Sequence, residues 1–328
     1  MIISRTPFRV SFFGGGTDFP EYYTEHGGAT LLSTIDRYCY ISVHELSPFF
    51  TYRFRASYAR TELVQQPEEF QHPLIRECLR YLGIRDGLEI AHVSDLPGRT
   101  GLGTSSAFTV GLLHALHAFR DDKIQAEELA REAIVVERER VGDAGGHQDQ
   151  YAAAYGGFIR LDCSGSKGVE VRRPRITADR LRELEQRLLM FYIGSELSAQ
   201  TILQNQRKRT TQNMTTLDAM RNLVDKAERI LESTDDLGGW GDLLHESWTQ
   251  KKSLASGISN SMVDDAYAAA RKAGAHGGKL LGAGGRGFLL FYIEPDQQDT
   301  VRAALHTLLE VPFRFGHEGS RIIFRTTD

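Results

Sequence analysis

The sequence predicts an α+β protein of two domains. Strand-like and helix-like segments are mixed along the whole chain, which points to packed layers of both kinds. A length of 328 residues is about twice the ordinary size of one domain. A hydrophobic fraction of 41%, present in both halves, is enough for a core in each.

Taken in order, residues 7–13 and 38–46 are rich in Val, Ile, Tyr and Phe and read as strands, as does the segment 87–93. A helix should start near Gly103 and run to about Phe119, with Val110, Leu113 and Leu116 at helical spacing. Residues 125–140 and 147–154 read as a second helix and a short third one, and 157–162 and 168–172 as short strands. The basic stretch 172–175, with Pro174 inside it, marks the expected boundary between domains 1–175 and 176–328. Beyond it, 187–193 reads as a strand, and 214–234, 240–256 and 261–273 as helices. Strands 279–281 and 287–293 flank a glycine loop, and a helix at 296–309 and a strand at 320–326 close the chain.

The net charge of −4 argues against a general nucleic-acid binder, which carries a basic excess. Cys39, Cys78 and Cys163 are far apart and form no C-x-x-C pair, so neither a zinc site nor a redox motif is expected. Arg5 and Arg9 interrupt the first apolar run, and no apolar stretch approaches the ~20 residues of a membrane span. The expectation is a soluble cytoplasmic protein in a reducing compartment, with no nucleic-acid or membrane partner.

Three glycine-rich loops carry the chemistry. Residues 96–107, LPGRTGLGTSSA, follow a strand and open a helix. Gly101 and Gly103 allow close backbone approach, and Thr104, Ser105 and Ser106 place hydroxyls in the first turn, where free N–H groups suit phosphate. One hydroxyl would serve as an ordinary cap; three after two glycines favour a phosphate site. Residues 13–18, FGGGTD, follow the first strand, and Asp18 could accept bonds from sugar hydroxyls or cap the next helix. Residues 282–287, GAGGRG, match G-x-G-x-x-G, but that fingerprint must open a helix and here a strand follows, which excludes a Rossmann site. The loop reads instead as a tight connection packed on another backbone. Walker, protein-kinase, G-x-S-x-G and H-E-x-x-H signatures are absent. Glu137 in VVERER and Asp149 in GGHQDQYAAAYGG are the candidate carboxylates, each open to function or solvent, whereas Glu139 reads as solvated.

In this order the three loops resemble the three motifs of the GHMP kinases (galactokinase, homoserine kinase, mevalonate kinase, phosphomevalonate kinase). The likeness is strongest to the D-glycero-D-manno-heptose 7-phosphate kinases, through FGGGTD-x-P-E-Y-Y, QDQYAAA-x-GGF and LH-x-x-W-x-x-KK. It implies a ribosomal protein S5 domain 2-like N-terminal domain and a ferredoxin-like C-terminal domain. It further implies ATP and Mg2+ as cofactors and a small sugar phosphate as partner. ATP phosphates would lie on Pro97, Gly98, Gly101, Leu102, Gly103, Thr104, Ser105 and Ser106. Ser105 and Glu137 would hold Mg2+, Asp149 would be the catalytic carboxylate, and Arg9 its cation. Gly15, Gly16, Thr17 and Asp18 would face the sugar. A remote phosphate needs clustered cations, and Lys251 and Lys252, beyond Trp248 on a partly apolar helix, are expected to supply them. Arg286 departs from the small residues of motif three and is expected to face solvent, with a phosphate contact as the alternative. The remaining readings are another sugar 1-kinase, of fucokinase or uronic-acid kinase type, and a non-catalytic sugar sensor on the same fold.

Overall fold

The structure is a computed structural model that describes residues 1–166, 168–194 and 199–326. The chain opens with β1 (Ile2–Phe13), α1 (Pro20–His26) and β2 (Gly28–Glu45). β3 (Phe54–Ser57), β4 (Thr61–Val64), α2 (Pro73–Tyr81) and β5 (Leu88–Ser94) follow. Then come α3 (Thr104–Phe119), α4 (Ala126–Ile134), α5 (Gln148–Tyr155), β6 (Phe158–Ser164) and β7 (Gly168–Arg172). The second half begins α6 (Ala178–Gln186), β8 (Leu188–Tyr192), α7 (Ala199–Lys208), α8 (Met214–Glu232), α9 (Gly238–Ser253) and α10 (Ser261–Lys272). It closes with β9 (Gly277–Leu280), β10 (Phe288–Tyr292), α11 (Gln298–Ala304), β11 (Leu309–Glu310) and β12 (Arg321–Arg325).

The large sheet has the order β12-β1-β2-β5-β3-β4, with β6 pairing β2 and β7. β2 organises it. One edge pairs antiparallel with β1, from Ile2↔Val43 to Phe13↔Leu31. The other edge is shared: Gly28–Ser33 pairs with β6 and Cys39–Glu45 with β5. Residues 28–35 are buried on both faces, so this half lacks the alternation that marks a strand in sequence, while the later half alternates and was expected. α3 packs against β1 and β2, and its apolar residues lie on every side, as a core helix requires.

The small sheet, β11-β8-β10-β9, is antiparallel. Successive side chains of a strand point to opposite faces. Leu188, Met190, Leu290 and Tyr292 therefore join the core of the large sheet, beside Trp240 of α9. Leu189, Phe191, Leu289 and Phe291 join a second core with Trp248 and Tyr267. Each large apolar side chain so buried contributes about 1.5–3 kcal/mol, which makes covering both faces worthwhile.

Several expectations are corrected here. The helix expected over 125–140 stops as α4 at Ile134 and continues as a wider π-helical turn, Val135–Arg140. The helix expected over 296–309 is only α11, and α2, α6 and α7 were not expected. The last strand returns across residue 175: β12 pairs with β1 in the register Ile2↔Arg325. The large sheet thus draws on both ends of the chain. Among the described residues no helix is long and apolar enough to cross a membrane.

Candidate active site

The three glycine loops meet around a cleft of about 990 Å3. Two of them interlock. A Cβ on Gly101 would stand 2.3 Å from the Leu281 carbonyl oxygen, and one on Gly282 would stand 2.3 Å from the Gly101 Cα. Both residues also have φ near +80°, so glycine is required twice over. The 282–287 loop joins β9 to β10 and packs on another backbone, as its strand–loop–strand pattern predicts.

α3 starts at Thr104 with left-handed Gly103 as its N-cap, and among the described residues no side chain caps it. α6 and α10, by contrast, are capped by Thr177 and Asn260. The first-turn N–H groups of α3, at the positive end of its dipole, remain for an anion. The Arg9 side chain from β1 lies against this turn. Its Nε and Nη2 donate to the two Asp149 carboxylate oxygens at 2.8 Å each, and Nη1 donates to the Gly101 carbonyl at 2.6 Å. This two-pronged, charge-assisted pair fixes the Asp149 carboxylate in plane and position.

Glu137 sits on the π-helical turn, a distortion that is frequent at functional sites. Its buried carboxylate accepts from Ser105 Oγ at 3.1 Å, Ser106 Oγ at 2.8 Å, Thr109 Oγ1 at 3.0 Å and Gln150 Nε2. Burial pushes the carboxyl above the ordinary glutamate range, against the opposing influence of Arg138 and the donated bonds. Ser105 is exposed and Ser106 buried. The exposed hydroxyl and the carboxylate behind it are hard oxygen donors of the type Mg2+ takes. Among the described residues no cluster of three His, Cys, Asp or Glu could hold a metal. An ion here would therefore need oxygens from a ligand as well.

The structure brings Arg9, Gly15, Gly16, Gly98, Gly101, Gly103, Thr104, Ser105, Ser106, Glu137, Asp149 and Lys251 to the cleft wall. It does not bring Pro97, Leu102, Thr17, Asp18 or Lys252 there. Leu102 is a core residue. Thr17 is buried and its hydroxyl donates to the Gly14 and Ala29 carbonyls at 2.8 Å. Asp18 is buried and neither caps α1 nor faces the cleft; it accepts from Gly16 N at 2.9 Å and Gln148 N at 3.2 Å. It thereby ties the first loop to the start of α5, which carries Asp149. Lys252 pairs with Asp264 at 3.2 Å on the outer side of α9, because adjacent helical residues point about 100° apart. Arg286 is exposed.

Sequence reasoning missed several lining residues. Ser11 Oγ donates to Gln148 Oε1 at 2.6 Å, and Gln206 of α7 lies buried against Gly16. Lys279 of β9 is buried at the cleft, and a lone lysine in an apolar strand was its visible signal. An aromatic lobe also went unseen. His72 lies 4.8 Å from Tyr58 and 5.0 Å from Phe108, and His92 5.1 Å from Phe108, between ring centroids. Burial holds His72 at about 4 and also lowers His92, so both rings are neutral at pH 7.

Residues 72–157 match the family model for the GHMP kinases N terminal domain, and residues 223–310 that for GHMP kinases C terminal. The chain belongs to the GHMP kinase family. A D-glycero-alpha-D-manno-heptose 7-phosphate kinase of Campylobacter jejuni is 29% identical over 315 residues, 93% of each chain. A bifunctional fucokinase/GDP-fucose pyrophosphorylase of Arabidopsis thaliana is 29% identical over 310 residues, which is 87% of this chain and 29% of that protein. A solved D-glycero-D-manno-heptose 1-phosphate kinase from Bacteriodes thetaiotaomicron has a TM-score of 0.81 at 26% identity, covering 100% of both chains. This GHMP kinase uses ATP as its phosphoryl donor.

Proposed function

We propose that this GHMP kinase transfers a phosphoryl group from ATP to the anomeric hydroxyl of D-glycero-D-manno-heptose 7-phosphate. The product would be the 1,7-bisphosphate, an intermediate on the way to nucleotide-activated heptose. The observation that carries the reading is the Arg9–Asp149 pair set against the uncapped N-terminus of α3. It supports the reading because a fixed carboxylate beside uncapped N–H groups suits phosphoryl transfer.

In this reading Asp149 takes the proton of the acceptor hydroxyl as the oxygen attacks. A positioned base supplies about 10²–10⁴-fold in rate. Arg9 orients Asp149 and offsets charge on the moving phosphoryl group. The loop 98–106 cradles the nucleotide phosphates on backbone N–H groups. Ser105 and Glu137 would hold Mg2+, which offsets phosphate charge when bound. Tyr58, His72, His92 and Phe108 form an aromatic, uncharged lobe suited to the nucleobase. Ser11, Gln148 and Gln206 line the same cleft and offer hydroxyl and amide groups suited to an acceptor's hydroxyls. Transfer is direct, with no covalent enzyme intermediate.

The names of the two heptose kinase relatives place the substrate phosphate differently, which makes the acceptor the point to test. Purified protein is assayed with ATP against heptose 7-phosphate, unphosphorylated heptose, fucose and glucuronic acid. Heptose 7-phosphate should lead in kcat/KM by about tenfold or more, with the new phosphate on the anomeric carbon by ³¹P NMR. A lead for fucose or the uronic acid would reassign the acceptor, and no turnover with any sugar would leave the sensor reading.

A further inference from the structure

Gln206 is 5% exposed and lines the cleft from α7. The helix sets its direction: Ile202, one turn earlier on the same face, is buried in the second core. α7 is also tied to the first half of the chain. Gln200 Nε2 donates to the Gly142 carbonyl at 3.0 Å, and Arg207 Nε donates to Glu21 of α1 at 2.9 Å. Among the described residues no hydrogen bond reaches the Gln206 carboxamide. The amide stands against Gly16, where a Cβ would collide with its Nε2. Gln148 is its counterpart at Gly15. Its Oε1 accepts from Ser11 Oγ at 2.6 Å. Its Nε2 stands 3.6 Å from the place of a Gly15 Cβ and has no hydrogen-bond partner among the described residues. Two uncharged carboxamides thus adjoin two consecutive glycines, and Gln148 directly precedes Asp149. A carboxamide without partners at a buried place is unfavourable, since an apolar side chain of similar length would fill the same space without that loss. A ligand that brings both donors and acceptors to the amide removes the cost.

We propose that Gln206 is a specificity-determining residue for the acceptor and reads a pair of neighbouring hydroxyls on a polyhydroxylated ring, with Gln148 Nε2 donating to the same ring. A carboxamide offers a donor and an acceptor side by side, and a hydroxyl both donates and accepts, so one amide satisfies two adjacent hydroxyls. Being uncharged, the two side chains suit hydroxyls rather than a phosphate or a carboxylate. A ring that lacks one of these hydroxyls is rejected, because a polar group of the site is then buried unpaired. This role rests on the reading of Asp149 as the base beside the acceptor, and it holds whichever sugar the acceptor proves to be.

Gln206→Met keeps the length of the side chain and loses both hydrogen-bonding groups, and Gln206→Glu keeps acceptors alone. Both are compared with wild type and checked for folding by circular dichroism and thermal unfolding. Acceptor kcat/KM is measured with the sugar that leads the panel above and with its single-deoxy forms, one ring hydroxyl removed at a time. Gln206→Met should lower kcat/KM for the intact sugar by about tenfold or more, while ATP affinity by calorimetry without acceptor stays within about threefold. Wild type should reject the forms lacking the hydroxyls that Gln206 meets by about tenfold, and Gln206→Met should reject the same forms by no more than about threefold. A merely structural role would not move that discrimination. Unchanged kcat/KM in a folded Gln206→Met enzyme overturns the proposal. So does a variant that keeps wild-type discrimination against every deoxy form, or one that loses ATP affinity as much as acceptor kcat/KM. Failure of both variants to fold overturns it too, since Gln206 would then be a structural residue. If a sugar other than heptose 7-phosphate leads the panel, the substrate reading falls, while the deoxy series of that sugar still decides the role of Gln206. If no sugar is turned over, sugar binding by calorimetry replaces kcat/KM in the same comparison, and the absence of any sugar binding overturns the proposal.

Discussion

At Asp149 a single charge can be removed without changing shape. Asp149→Asn should lower turnover by about 10²-fold or more. ATP affinity, measured by calorimetry, should stay within a few fold, because the proposed reading rests the nucleotide phosphates on the 98–106 loop. A folded variant with near-normal turnover would strip Asp149 of its role as base. Asp149 and Glu137 could be picked out in the sequence as candidate carboxylates open to function or solvent, and only the resemblance to the GHMP kinases implied their roles. The resemblance set Ser105 apart from Ser106, but nothing in the residues themselves showed the difference. The two are alike in type and adjacent, yet one is exposed and the other buried against Glu137. Lys251 and Lys252 divide in the same manner, one to the cleft and one to Asp264. On a helix, neighbouring residues diverge by about 100°, and only the surrounding elements decide which direction is inward.

Among elements, the second and third glycine loops meet backbone to backbone at the cleft. Gly101→Ala would drive a Cβ against the Leu281 carbonyl at a left-handed φ of +81°. We expect a loss of about 2–4 kcal/mol in stability, with a drop in activity that follows the loop displacement. Gly98→Ala is the control, since a Cβ there meets nothing within 4 Å and its unfolding midpoint should hardly move. Equal midpoints for the two variants would mean that the loops do not depend on this contact. Loops of this kind are legible because close approach of two backbones requires glycine locally. The first half of β2 and the helices α2, α6 and α7 were not legible. β2 is buried on both faces there and so shows no alternation, and each of the three helices is shorter than the window of about 11–18 residues over which a helical pattern is read.

For the whole molecule, buried neutral histidines set the response to acid. Burial holds His72 and His114 at about 4, against about 6.5 when unfolded. Above pH 6.5 both states are neutral at these sites. Below it the unfolded chain takes up protons that the folded chain refuses, so stability falls from about pH 6.5 to about pH 4 and then levels. Each ring should cost on the order of 1 kcal/mol by pH 5, after allowance for its partial exposure. His117 works the other way: burial lowers it, but the Glu132 and Asp122 carboxylates outweigh that and raise it. The thermal midpoint should be lower at pH 5 than at pH 7, and His114→Asn should narrow the gap. A wild-type midpoint that is the same at both pH values would refute the account. At this scale the chain's own order of residues was enough to suggest the α+β class, to single out residues 96–107 as a candidate phosphate loop and to show the resemblance to the GHMP kinases, because local runs of residues carry each of them. The return of β12 to β1, the inward turn of Asp18 and the placing of Lys279 on the Phe12 carbonyl, 267 positions away, came only with the folded molecule. They depend on which distant segments share a core, and no local pattern records that choice.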